Sequence, residues 1–207
     1  MTSQCSHPSE LYSGPPDLSV EAPHLVSLAS KWVRLPHPEV VTQFEGSVFP
    51  VVRDTKKRGS YDKAQDIIYD DNTVTKWALL WSHNETRTAH PTGWTLAHVW
   101  SVPKDRDAYC HLANLCVMPE DLKSLSDKNA PLAAFLRYHA QSVYGWRPGG
   151  HEKLDKPAGF DAISWCYFEP VLDAPKLVIA RLQKANSANA RALKMTTWYR
   201  NLLVSSE

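Results

Sequence analysis

Apolar and polar positions change period several times along the chain, and each change marks a predicted element. In WTLAHVW, residues 94 to 100, alternation places Trp94, Leu96, His98 and Trp100 on one face of an extended segment and Thr95, Ala97 and Val99 on the other. HLVSLASKWVRL carries apolar spacing suited to a short helix ended by Pro36, and VTQFEGSVFPVVRD reads as short extended pieces broken at Gly46 and Pro50. TKKRGSYDK is an exposed basic loop. DIIYDDNTVTKWALLWSHN holds two β-rich runs joined by Asp70, Asp71 and Asn72, which predicts a hairpin.

After the 94–100 strand come a polar loop, SVPKDRDAY, and a second apolar run, HLANLCVM. PEDLKSLSDKN follows as a helix with Pro119 at its first turn and acids beside it. APLAAFLRYHAQSVYGW predicts another helix ending near Gly145, and RPGGHEKLDKPAGFDA a Gly/Pro loop before the aromatic run ISWCYFEPVL. Residues 175–204 read helical, with Ile179, Leu182, Ala185 and Leu193 on one side and Lys176, Lys184, Arg191 and Lys194 on the other. The stretch NSAN, residues 186–189, is a candidate break in that helix.

These elements predict an α+β protein. A Ser/Pro-rich flexible arm, residues 1–23, precedes a single domain over 24–207, and 207 residues suffice for a core without staples. Four cysteines without CxxC spacing suit a reducing compartment, and no leader-like or long apolar segment appears, so a cytoplasmic protein without membrane partners is expected. The net charge of +1 makes no overall case for a polyanionic partner. Its distribution does: residues 61–120 carry five Lys/Arg against eight Asp/Glu, whereas residues 176–207 carry six against one.

The order strand, loop, strand, helix around His98 is the setting in which candidate chemistry gathers. His98 ends one strand, Asn114 opens the next sixteen residues later, and the helix beyond Pro119 offers Asp121, Lys123, Asp127 and Asn129. A histidine there can deprotonate water, an asparagine can brace the loop, and a hard oxygen ligand can hold a divalent cation against a phosphate. Walker, GxGxxG, GxSxG and HExxH motifs are lacking.

On AHVW, ANLCVMP and LSDKN, roughly residues 94–130, the chain resembles the HNH branch of the His-Me finger (ββα-metal) nucleases. The resemblance implies a ββα-metal core with additional strands and flanking helices. It makes His98 the general base and Asn114 the bracing residue. Members of that family commonly place metal ligands immediately before the base and about nine residues after the asparagine, where this chain has Ala97 and Lys123. Asp127, one helical turn beyond Lys123, is then the expected ligand, with Asn129 second. The cofactor implied is a divalent metal, Mg²⁺ first, with Mn²⁺ or Zn²⁺ as alternatives.

The expected function is metal-dependent endonucleolytic cleavage of phosphodiester bonds, with double-stranded DNA as the expected substrate; the sequence leaves DNA versus RNA open. Lys184, Arg191 and Lys194 on the basic helical face would track phosphates, and Arg87 and Arg106 would flank the site from loops. The alternative is a non-catalytic nucleic-acid-binding or interaction module on the same scaffold. A structural zinc held by Cys110, His111 and Cys116 with Cys5 or His90, and a histidine site of His83, His90 and His98, are weaker options. The sequence leaves the oligomeric state open, a dimer included.

Overall fold

A computed structural model describes residues 18–86, 92–126 and 131–204. The chain is α+β, with two small mixed sheets and several helices around one continuous hydrophobic core. Among the described residues no helix is long and apolar enough to cross a membrane.

The helix α1 (Leu18–Ser30) begins before the predicted arm ends, so residues 18–23 belong to it and Pro23 lies within it. The strand β1 (Arg34–Leu35), the short helix α2 (Pro38–Val41) and β2 (Val51–Arg53) follow. Next come β3 (Tyr61–Asp62) and β4 (Ile67–Asp70). In the smaller sheet β4 is central, parallel to β2 and antiparallel to β3.

The predicted hairpin after β4 is instead a strand and a helix. Residues Thr73–Ser82 form α3. The polar cluster caps its start: Asp71 Oδ1 accepts from the Thr73 amide at 2.9 Å and Asp70 Oδ2 from the Val74 amide at 2.5 Å. Asp70 is itself fully buried, with Asn189 Nδ2 donating to its other oxygen at 2.7 Å. A turn sequence and a helix start draw on the same Asp and Asn residues, and packing of Val74, Ala78 and Leu79 into the core selects the helix.

The larger sheet has the order β5-β6-β1-β7. Its strands β5 (Trp94–His98) and β6 (Leu115–Pro119) pair antiparallel in a register that sets Trp94 opposite Pro119 and His98 opposite Leu115. A 3₁₀ segment, Glu120–Ser126, leaves β6 directly. It precedes α4 (Pro131–Val143), which buries Leu132, Phe135, Leu136 and Ala140 and packs beside α1. β7 (Cys166–Tyr167) runs parallel to β1 at the sheet edge.

The C-terminal region, predicted as helix with one candidate break, is three helices: α5 (Ala174–Lys184), α6 (Ala188–Lys194) and α7 (Thr197–Val204). Ser187 caps α6 by accepting from the Ala190 amide at 3.1 Å, which starts a new helix inside NSAN. Residues 195 and 196 make a second break. The basic side chains therefore do not lie on one straight helical face.

Candidate active site

Asn114 continues the β5–β6 ladder beyond its last strand pair. Its carbonyl accepts from the Val99 amide at 2.9 Å, and its side-chain Oδ1 accepts from the Trp100 amide at 2.7 Å. Its Nδ2 donates to the Ala108 carbonyl at 3.0 Å. The residue is fully buried, so these bonds satisfy groups that water cannot reach. The start of the loop from Val99 to Ala113, at Trp100, and its middle, at Ala108, are thereby tied to one side chain.

Asp105 shapes the middle of that loop. Its Oδ1 accepts from the amides of Asp107 at 2.9 Å and Ala108 at 3.1 Å, and its carbonyl accepts from the Tyr109 amide at 2.8 Å. This turn brings Tyr109 against His98. The two rings stack with centroids 4.7 Å apart and planes 7° from parallel. The Tyr109 hydroxyl is held by the Asp71 carbonyl and by Asn72 Oδ1, the latter at 2.7 Å.

His98 hydrogen-bonds the Tyr109 carbonyl, while its Nε2 is buried and has no hydrogen-bond partner. A carbonyl can only accept, so Nδ1 carries the proton and Nε2 a bare lone pair. Burial pushes the imidazole down to about 4, against the bond to Tyr109, and the charges of Arg53 and Lys123 lower it further. The ring is neutral at pH 7 and can accept a proton.

A cavity of about 500 Å³ adjoins the ring. His98, Tyr109, Asn72, Ser101 and Ser126 contribute to its lining, together with Arg53, Lys123 and Arg137. Arg53 ends β2 and is exposed, Lys123 projects from the 3₁₀ segment and is exposed, and Arg137 comes from α4. Arg137 Nε donates to the Val99 carbonyl at 3.1 Å, fixing its head beside the loop, and burial pulls its pKa down. Among the described residues the lining holds no carboxylate.

The sequence-predicted residues are thus partly brought together. His98 ends β5, whereas Asn114, expected to open the next strand, is the last residue of a 3₁₀ turn, Leu112–Asn114, just before β6, where it meets the amides of Val99 and Trp100. Asp127, Asn129 and Arg87 lie outside the described residues. Arg106 is turned to the smaller sheet: its Nη1 donates to the Gln65 carbonyl at 2.9 Å, and its Nε lies 3.4 Å from Asp107. Lys184 and Arg191 are exposed, whereas Lys194 Nζ donates to the carbonyls of Gln183 at 3.1 Å and Ala185 at 3.3 Å. It closes the end of α5 and is not a free phosphate contact.

Arg53, Arg137 and Tyr109 escaped sequence reasoning. Only the Arg inside the apolar run AAFLRYHA carried a signal, as a cation in an otherwise buried stretch.

Among the described residues no group of three His, Cys, Asp or Glu side chains could hold a metal. Cys110 Sγ meets Thr75 Oγ1 at 3.4 Å, and the Cys116 thiol is pushed up to about 12 by burial. His83 spends both ring nitrogens on the Leu79 carbonyl and the His37 amide. All three are therefore used as core groups.

Comparison of the chain with protein-family models, curated proteins and solved structures finds no match.

Proposed function

We propose that the protein is an HNH-like nuclease, a phosphodiester hydrolase acting on nucleic acid and on double-stranded DNA first. The observation that carries this reading is the bare Nε2 of a neutral, tautomer-fixed His98 beside a cationic cavity, with Asn114 bracing the loop above it. In this reading β5, β6 and the helical segment after Pro119 act as a ββα core.

A water between His98 and a bound phosphodiester loses its proton to Nε2 as its oxygen bonds to phosphorus. The P–O bond to the leaving sugar oxygen breaks, and that oxygen takes a proton from solvent. Arg53, Lys123 and Arg137 stabilise the added negative charge on the phosphoryl oxygens. The incoming anion also offsets the Arg53 and Lys123 charges that depress His98, which raises its basicity when substrate is present.

The described donor set does not fit Mg²⁺, Mn²⁺ or Zn²⁺: one imidazole among three cationic side chains offers no anionic oxygen ligand. Asp127 follows Ser126 of the lining directly in sequence, and it and Asn129 remain the expected ligands outside the described residues.

Lys123, standing where the resembled family places a ligand, favours a second reading: a nucleic-acid-binding module that retains the scaffold without turnover. Incubating the purified protein with supercoiled plasmid in EDTA, Mg²⁺ or Mn²⁺ decides between them. Nicking that disappears in His98→Ala supports the nuclease, and binding without nicking under all three conditions supports the module.

A further inference from the structure

The cavity beside His98 combines features that select an anion. Its cationic side chains come from three separate elements, β2, the 3₁₀ segment and α4. Two of them, Arg53 and Lys123, are near enough to act electrostatically on the imidazole, and among the described residues no acidic group acts on that ring. The volume of about 500 Å³ holds a phosphate with parts of its flanking sugars. The buried Nε2, without a protein partner, requires a polar neighbour from whatever enters.

We propose that this cavity binds one phosphate group directly, through Arg53, Lys123 and Arg137, with no bridging divalent cation. The proposal rests on the site described above but not on turnover there. Lys123 then replaces a metal ion instead of disabling a metal site: it supplies the positive charge that a cation would bring to the phosphoryl oxygens. Arginine contributes a planar fork of donors and lysine a compact charge, and both match tetrahedral phosphate oxygens. Ser101 and Ser126 add hydroxyl donors at the lining.

The chemistry is shared by a backbone phosphodiester and a free phosphate, and the test separates them. Calorimetric titration of the whole protein with inorganic phosphate and with the dinucleotide dTpdT, both in excess EDTA, should show binding of at least one. A dinucleotide bound as tightly as phosphate assigns the site to nucleic-acid backbone, and phosphate alone assigns it to the free anion. Arg53→Gln/Lys123→Gln should weaken the interaction by at least about tenfold and reduce its salt dependence by up to about two ions. Both side chains are exposed, so an unchanged circular dichroism spectrum is expected for the variant.

A second readout reports position. Phosphate should raise the titration midpoint of the His98 ring, followed by ¹⁵N NMR, in the parent protein and not in the double variant. Binding that requires added Mg²⁺ or Mn²⁺, undiminished binding in the double variant, or a His98 midpoint indifferent to phosphate would each overturn the proposal. Metal-free binding without plasmid cleavage would leave the anion site standing and remove the nuclease reading. Metal-dependent cleavage without phosphate binding in EDTA would do the reverse.

Discussion

His98 and Tyr109 lie face to face, 4.7 Å between ring centroids, and the same tyrosine supplies the carbonyl that fixes the His98 tautomer. One residue thus sets both the plane and the protonation of the proposed base. The stack and the hydrogen bond orient the imidazole and leave the buried Nε2 without a protein partner.

Replacing His98 by Ala should lower plasmid nicking by at least about a hundredfold, the lower range for loss of a general base. Circular dichroism should be unchanged. Retained cleavage in the folded variant would remove His98 from the chemistry.

Asn114→Ala leaves the Trp100 amide and the Ala108 carbonyl without their partner in a buried place. Unfolding in urea should show a loss of about 2–4 kcal/mol, and cleavage should fall with it because the Tyr109 loop is no longer tied down. A loss below about 1 kcal/mol would mean that other contacts hold the loop.

Tyr109→Phe keeps the ring stack and the main-chain acceptor but deletes the hydroxyl held by Asp71 and Asn72. Stability should drop by about 1 kcal/mol with cleavage nearly intact, whereas Tyr109→Ala should impair both. Equal damage from the two variants would assign the tyrosine's role to its hydroxyl.

Burial lowers four histidines, His83, His98, His111 and His139, to about 4. In the unfolded chain they titrate near 6.5, so as pH falls the unfolded state binds protons first and stability declines. Stability is full above about pH 7 and is lost progressively between about 6.5 and 4. Urea melts across this window should show up to about four protons taken up on unfolding near pH 5, and a pH-independent midpoint would contradict the buried neutral rings.

Lys194→Gln removes a cation that donates to the Gln183 and Ala185 carbonyls, whereas Lys184→Gln and Arg191→Gln alter exposed charges. Thermal melting should register only the Lys194 change. Any loss of nucleic-acid affinity from this region should come from the exposed pair and vanish at high salt. A fall in affinity confined to Lys194→Gln would reverse this division.

Local sequence determined the elements whose pattern and packing agree. Alternation in WTLAH gives β5, the apolar run after His111 gives β6, and the 131–143 periodicity gives α4. The approach of Asn114 to the end of β5 was legible because two successive strand-like runs pair antiparallel as the compact option; the ladder itself sets His98 opposite Leu115, one residue further on.

Tertiary structure decided the rest. The residues 73–82 contain Val, Thr and Trp, which favour strands locally, but their Asp70–Asp71 caps and core contacts outweigh propensity and form a helix. The cationic cavity was invisible because Arg53, Lys123 and Arg137 lie on separate elements with no common sequence period. Lys194 looked like a free basic residue until the break between α5 and α6 turned its ammonium onto open carbonyls. Periodicity describes one element at a time, whereas charge convergence and helix closure depend on how elements meet.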